Sequence, residues 1–212
     1  MKVTKLGHCC LLIEVRGIRF LTDPGSYTTA QNTVTGLHYV VISHEHTDHL
    51  HIESLKTVLK NNSEAKVICN SSVGAKLDVE SIPYSVIADG DSIELSGVTI
   101  AGYGLKHKLI YKDYEQVENT GYMFDAKLYY PGDAFHNPKV PVDVLALPVT
   151  GPWCTIAEAM DYALLIKPRV AFPVHDANLV RQNGITVRLP GIFLPKAGIQ
   201  FIPLELGKET EL

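Results

Sequence analysis

A dense group of histidines and carboxylates lies in residues 43–51, SHEHTDHLH, directly after a predicted strand. His44 and His46 are two positions apart, so an extended backbone sends both imidazoles to one side, where they can hold one metal ion. Asp48 and His49 begin the next turn and can reach a second ion beside the first, an arrangement that two-metal hydrolysis uses. The spacing therefore predicts a dinuclear site with hydrolytic chemistry.

Two other interpretations of this segment are weaker. The zinc-protease motif HExxH would begin at His44 and Glu45 and would need a histidine at position 48, where the chain has Asp48. A solvated loop with incidental histidines would explain one pair, but here four potential ligands fall within six positions. The segment therefore predicts a metal site other than that of the HExxH proteases.

The elements that must position this site alternate between strands and helices. Hairpins are predicted at Arg16-Gly17 and Ser96-Gly97. The predicted strands are residues 3–15, 18–22, 39–43, 66–70, 92–95, 98–103, 121–125, 127–130, 142–149 and 170–174. Helices are predicted from Ile52 to a turn at Asn61-Asn62, and over residues 155–166, where Thr155 and Glu158 form a capping box. No internal repeat or linker is visible, and the pattern predicts two packed sheets covered by helices.

The composition indicates one globular domain spanning residues 1–212, with 46% hydrophobic and 20% charged residues. The formal charge is −4 without blocks of like charge, so neither nucleic acid nor a membrane surface is an expected partner. The opening segment contains no long apolar run, which predicts a cytoplasmic protein. A small-molecule substrate is the expected partner, and association of copies into a homo-oligomer is left open.

The four cysteines, Cys9, Cys10, Cys69 and Cys154, include no CxxC pair. They are expected to be reduced, and Cys9 and Cys69 are expected in the core. Adjacent strand residues face opposite sides of a sheet, so one member of the Cys9-Cys10 pair is predicted to be partly accessible.

The HxHxDH pattern formed by His44, His46, Asp48 and His49 resembles the signature of the metallo-β-lactamase superfamily. This resemblance implies an α/β fold of four layers, an αββα sandwich of two mixed β-sheets flanked by helices. It also implies a metal-dependent hydrolase. The resemblance extends from the start of the chain to its last quarter.

Three further ligands follow from the resemblance rather than from spacing. In the superfamily a third histidine after a later strand completes the first metal site, which corresponds to His107. A carboxylate at a strand end bridges both ions, which corresponds to Asp133 in YYPGD. A last histidine completes the second site, which corresponds to His175 in VAFPVHD. The context of His107, GLKHKLI, is looser than the histidine-serine pairing common among small hydrolases of this kind.

Two dipeptides are similar to those of the ascorbate-phosphate-lactonase-like branch, namely Gly7-His8 and Asp23-Pro24. His8 is interpreted as a core histidine satisfied by backbone, with support of a ligand as the alternative. For Asp23, orientation of a ligand histidine and simple turn chemistry are equally weighted. Trp153 is interpreted either as an aromatic wall of the site or as a cap on the core.

The implied mechanism uses a hydroxide that bridges two divalent ions to cleave a small ester, lactone or phosphodiester. Zinc is the predicted metal, and manganese or iron tolerate the same ligands. Asp133 is expected to bridge, and Asp48 to carry a proton as well. The alternatives are a non-catalytic protein that binds or senses metal, and a phosphodiesterase or nuclease of the same superfamily. A di-iron redox protein is disfavoured because His46 stands where such relatives carry glutamate.

Overall fold

The computed structural model describes residues 1–112, 114, 116–179 and 184–212. Its strands are β1 (Lys2–Gly7), β2 (Cys10–Val15), β3 (Ile18–Thr22), β4 (Tyr39–Ile42), β5 (Lys66–Cys69), β6 (Tyr84–Val86), β7 (Ser92–Leu95), β8 (Val98–Tyr103), β9 (Gly121–Phe124), β10 (Leu128–Tyr130), β11 (Val144–Pro148), β12 (Val170–Val174), β13 (Gln200–Phe201) and β14 (Glu209–Glu211). Its α-helices are α1 (Ile52–Asn61), α2 (Ser71–Val79), α3 (Ile156–Ile166) and α4 (Ile185–Phe193). None of the described helices is long and apolar enough to cross a membrane.

These strands form two mixed sheets with the same internal plan. The first has the order β14-β1-β2-β3-β4-β5-β6, and the second has the order β7-β8-β9-β10-β11-β12-β13. In each order the first three pairings are antiparallel and the last three are parallel. The predicted sandwich of two mixed sheets with flanking helices is therefore confirmed. No internal repeat is visible in the sequence, but the two sheets repeat the same order of strand pairings.

Three apolar cores hold the layers together. The central core lies between the sheets and contains Phe20, Tyr122 and Phe172. A second core, which includes Ala159 of α3, packs that helix against the outer face of the second sheet, and a third packs the first sheet against α1 and α2, through Leu55 and Leu77. Both faces of each sheet are thus covered, as strands buried on both sides require.

The two adjacent cysteines show the effect of this double coverage. Cys9 belongs to the core between the sheets, whereas Cys10 belongs to the core beneath the helices. They face opposite sides as predicted, but each side chain is only 1% exposed. The prediction that one is partly accessible was wrong, because helices cover the face that Cys10 occupies.

The predicted strand over residues 3–15 is in fact two strands, β1 and β2. Gly7 has φ +149° and His8 has φ +51°, so the chain turns sharply between the strands. A side chain at Gly7 would place its Cβ 2.8 Å from Cβ of Thr28, so glycine is required there. This turn, which carries His8, was not predicted from the sequence. Two helices were also not predicted: α2, in which Gly74 interrupts the helical pattern, and α4, which contains Pro190.

The predicted capping box at the start of α3 is confirmed. The Thr155 hydroxyl accepts the Glu158 N–H at 3.3 Å, and the Glu158 carboxylate accepts the Thr155 N–H at 3.0 Å. We expect Thr155→Ala to lower the free energy of unfolding by about 1 kcal/mol, measured by urea denaturation. Thr57→Ala on the exposed face of α1 is the matched control and should change it by less than about 0.5 kcal/mol. Equal effects of the two substitutions would contradict the role of the cap.

Candidate metal centre

All seven predicted ligands meet at one end of the sandwich. His44, His46, Asp48 and His49 follow β4, His107 lies between β8 and β9, Asp133 follows β10, and His175 follows β12. In the second sheet β10, β11 and β12 are parallel, so the segments after β10 and β12 emerge at the same edge. The carboxyl ends of parallel strands are the usual place for a site in such folds.

The first cluster consists of His44, His46, His107 and Asp133, whose candidate ligand atoms all lie within 4.8 Å of one another. Nε2 of His44 is 3.1 Å from Nδ1 of His46, and Nε2 of His107 is 3.3 Å from Oδ2 of Asp133. Nδ1 of His107 donates to the carbonyl oxygen of Lys108 at 2.5 Å. The lone pair of His107 is therefore on Nε2 and faces the cluster.

The second cluster consists of His8, Asp48, His49 and His175, again within 4.8 Å of one another. Asp133 contacts this cluster too. Its Oδ1 is 3.2 Å from Nε2 of His49, and its Oδ2 is 2.9 Å from Nε2 of His175. The carboxylate of Asp133 therefore lies between the two groups of histidines. His8 lies in the second cluster although it was not predicted to be a ligand.

Several atoms of these clusters are buried without a hydrogen bond. In the described part of the chain, no hydrogen bond is made by Nε2 of His49, Nε2 of His175 or Oδ1 of Asp133, although they lie close together. Leaving a polar atom in this state costs about 1 to 3 kcal/mol. Coordination to a cation would satisfy all three, so the donor set fits divalent metal ions that take imidazole and carboxylate ligands.

Burial and neighbouring charges shift the pKa values of the groups in both clusters. Burial alone would raise the pKa of Asp133, but His49 and His175 hold it well below its usual value. Burial opposes ionisation of Asp48 in the same way, and His175 and His8 lower its pKa. Burial and the neighbouring His49 keep the pKa of His44 well below its ordinary value. The carboxylates are thus ionised and His44 is neutral, which are the forms that bind metals. Burial would lower the pKa of His49 and His175, but Asp133 raises both well above the ordinary value, so metal binding at these two histidines would release their protons.

A buried carboxylate, Asp23, connects the two clusters from behind. It accepts hydrogen bonds from Nδ1 of His49 at 2.6 Å, from the Ser43 N–H at 2.7 Å and from the Tyr130 hydroxyl. It also accepts the Ser43 hydroxyl at 2.5 Å, and that hydroxyl oxygen is 3.0 Å from Nδ1 of His44. Of the two interpretations of Asp23, the structure favours orientation of ligand histidines, and it extends this to one histidine of each cluster.

An open pocket of about 400 Å³ lies above the clusters. It is lined by Tyr27, Glu45, His46, Thr47, Asp48, His107, Ile110, Tyr114, Asp133, Pro152, Trp153, His175 and Asn178. Nε1 of Trp153 donates to Oδ2 of Asp133 at 2.9 Å, and this side chain is buried. Both interpretations of Trp153 therefore hold, since it packs into a core cluster and also forms a wall of the pocket.

Three other histidines, His38, His51 and His136, belong to neither cluster and do not line the pocket. His51 is the N-cap residue of α1 and accepts the Ser54 N–H at 3.3 Å. His38 accepts the Arg19 N–H at 3.1 Å. His8 was interpreted as a core histidine satisfied by backbone, with support of a ligand as the alternative, and the structure has features of both: it is buried, its Nδ1 accepts the Ala177 N–H, and its Nε2 lies 3.1 Å from Oδ2 of Asp48. The place of His8 in the second cluster was not predicted, although Gly7 directly before it could have indicated a turn instead of a continuous strand.

The fold and the site together define a metal-dependent hydrolase of the αββα type. Residues 2–175 match the family model described as "Beta-lactamase superfamily domain", and the chain therefore belongs to the metallo-β-lactamase superfamily. The closer resemblance to the ascorbate-phosphate-lactonase-like branch stays a prediction.

Similar proteins come from bacteria and archaea. Protein Rv0786c of Mycobacterium tuberculosis is 35% identical over 182 residues, which are 84% of each chain. A UPF0173 metal-dependent hydrolase of Carboxydothermus hydrogenoformans is 26% identical over 193 residues, with 82% of this chain and 84% of the relative covered. Igni18, a metallo hydrolase from Ignicoccus hospitalis, has a TM-score of 0.78 at 22% identity over 100% of this chain and 98% of its own.

Proposed function

We propose that this protein hydrolyses a small neutral ester or lactone at a centre of two divalent metal ions. The observation that carries the proposal is the position of Asp133. Its carboxylate contacts His107 of one cluster and His49 and His175 of the other, at distances of 2.9 to 3.3 Å. A carboxylate shared between two histidine groups is the arrangement expected of a bridging ligand.

The ligands divide between the two ions according to the clusters. His44, His46 and His107 would hold the first ion, while Asp48, His49 and His175 would hold the second. Asp133 would bind both. Zinc suits this set of imidazole and carboxylate ligands, and manganese or iron would be tolerated.

When bound, two such ions lower the pKa of a shared water to about 7 and polarise the oxygen of the scissile group. The protein's own residues hold the reacting groups in place. Asp133 is buried, and the indole N–H of Trp153 donates to its Oδ2 and fixes the orientation of the carboxylate. Asp48 lies at the pocket surface with its side chain 19% exposed, where its carboxylate can accept and return a proton. An Asp48→Asn variant that keeps both ions and the full hydrolytic rate would rule out the role of Asp48 in proton transfer.

The walls of the pocket favour an uncharged substrate. Tyr27, Ile110, Tyr114 and Pro152 supply apolar and aromatic surface beside the clusters. Among the residues described as lining the pocket there is no lysine or arginine. Enzymes that transfer phosphoryl groups clamp them with such cations or with metal ions, so here the two ions alone would have to balance the charge of a phosphodiester. An ester or lactone with an apolar part therefore fits this pocket better than an anionic phosphodiester.

The test of the metal centre is the number of ions per chain after purification without chelator, measured by elemental mass spectrometry. We expect two ions in the parent and a clear loss in His46→Ala, which removes a ligand of the first ion. His136→Ala is the matched control, because His136 belongs to neither cluster, and it should keep both ions. A parent that binds neither zinc, manganese nor iron would refute the proposal.

The test of the substrate class is a panel of neutral esters, lactones and phosphodiesters, assayed with the metal identified in that experiment. We expect turnover of an ester or lactone to exceed that of a phosphodiester. Faster cleavage of phosphodiesters or of single-stranded RNA would support the phosphodiesterase alternative instead. Two bound ions with no turnover of any substrate would favour a protein that only binds or senses metal.

A further inference from the structure

His8 and His107 occupy equivalent places in the two halves of the fold. The strand orders of the two sheets correspond one to one, so the β1–β2 turn matches the connection between β8 and β9. The first carries His8 and the second carries His107, and each histidine faces its own cluster. Position alone would make His8 a ligand of the second ion, as His107 is proposed to be for the first.

The hydrogen bond on the far side of each ring distinguishes them. Nδ1 of His107 donates to a carbonyl oxygen, that of Lys108, which leaves the lone pair on Nε2. Nδ1 of His8 instead accepts the backbone N–H of Ala177, at 3.3 Å. A neutral imidazole that accepts at Nδ1 carries its hydrogen on Nε2. Nε2 of His8 is therefore a donor and has no lone pair for a metal.

The acceptor for this donor is Asp48. Nε2 of His8 is 3.1 Å from Oδ2 of Asp48, closer than Nε2 of His175 at 3.5 Å or Nε2 of His49 at 3.9 Å. Those two histidines present Nε2 to Asp133 as well, whereas His8 contacts only Asp48 among the carboxylates described here. The hydrogen bond from His8 thus sets the orientation of the Asp48 carboxylate.

His8 is itself held firmly enough to do this. It is buried, its backbone has φ +51°, and its carbonyl oxygen accepts the N–H of His175 at 3.3 Å. Its ring centre is 4.2 Å from that of His175 and 4.8 Å from that of Tyr27. Because contacts with His175, Tyr27 and Ala177 fix the ring, His8 can orient the Asp48 carboxylate with little loss of its own side-chain entropy when the ion binds.

We propose that His8 is a positioning residue for the second metal ion, and that its Nε2–H holds the carboxylate of Asp48 in the orientation that binds this ion. The inference rests on the proposed dinuclear centre. Substitution of a residue that hydrogen-bonds to a metal ligand typically lowers the metal affinity by about 10- to 100-fold.

The test compares three substitutions by zinc titration against a chromophoric chelator. His8→Ala should lower the affinity for the second zinc ion by about 10- to 100-fold and leave the affinity for the first unchanged. His8→Gln places an amide N–H near the position of Nε2 and should recover most of the affinity. His8→Asn places it near the position of Nδ1 and should behave like alanine. Thermal melting of the metal-free proteins shows whether each variant is folded.

Three results would overturn the proposal. Unchanged affinity in His8→Ala would show that the hydrogen bond to Asp48 does not matter. A glutamine variant as weak as alanine, yet folded, would point to direct ligation by the imidazole. Equal weakening of both ions, together with a large fall in the melting temperature, would show a purely structural role. If the parent protein binds no second ion, the proposed dinuclear centre is wrong. The titration of the parent shows this before any variant is compared.

Discussion

Asp133→Asn should bind no more than about one ion per chain and should lose hydrolytic activity by about 1,000-fold. Asparagine has almost the same shape, but it is uncharged and its amide nitrogen cannot replace the second carboxylate oxygen as a ligand. A 1,000-fold lower rate corresponds to about 4 kcal/mol of lost transition-state stabilisation, which we attribute to the missing carboxylate charge between the two cations. Elemental analysis gives the ion content, and initial rates on the best ester or lactone give the activity.

A second measurement separates loss of metal from loss of fold. A ligand that binds only the folded state at 100 times its Kd stabilises it by about 2.7 kcal/mol. A chelator should therefore lower the melting temperature of the parent by more than that of Asp133→Asn, which has at most about one ion to lose. Asp143→Asn is the matched control, since Asp143 forms an exposed pair with Arg169. An Asp133→Asn protein with two ions and the parental rate would contradict the bridging role.

Asp23→Ala should destabilise the protein by about 3 to 5 kcal/mol and weaken metal binding by about 10- to 100-fold. The substitution leaves four donors without their acceptor: the Ser43 N–H, the Ser43 hydroxyl, Nδ1 of His49 and the Tyr130 hydroxyl. His49 then loses its fixed orientation, and His44 loses it through Ser43. Unlike the substitution of His8, this change should lower the affinity for both ions.

Urea denaturation of the metal-free protein and chelator competition measure the two effects separately. Asp125→Ala is the control, because Asp125 also has a left-handed backbone, at φ +53° against +37° for Asp23, but pairs with Arg16 at the surface. Asp23→Asn keeps one acceptor and tolerates this backbone, so it should fold and show an intermediate loss of affinity. If Asp23→Ala loses no more stability than Asp125→Ala, the buried network does not support the site.

Much of the architecture was predictable because it depends on local patterns. The hairpin at Ser96-Gly97 and helix α1 were predicted with the observed bounds, since turn residues and helical periodicity act over a few positions. The short strand β6 and helices α2 and α4 were not predicted, because they lack a strong pattern of their own. They form where the surrounding sheets and helices offer a surface to pack against.

The sequence by itself determined which residues could bind metal, since the HxHxDH spacing and its resemblance identified the seven side chains that the fold brings together. Only the tertiary structure decided how they are divided and what supports them. The roles of His8, Asp23 and Trp153 depend on which hydrogen-bond partner meets each polar atom. Those partners, such as Ala177 for His8 and Tyr130 for Asp23, are distant in sequence, so no local pattern specifies them and only the packing of the two sheets does.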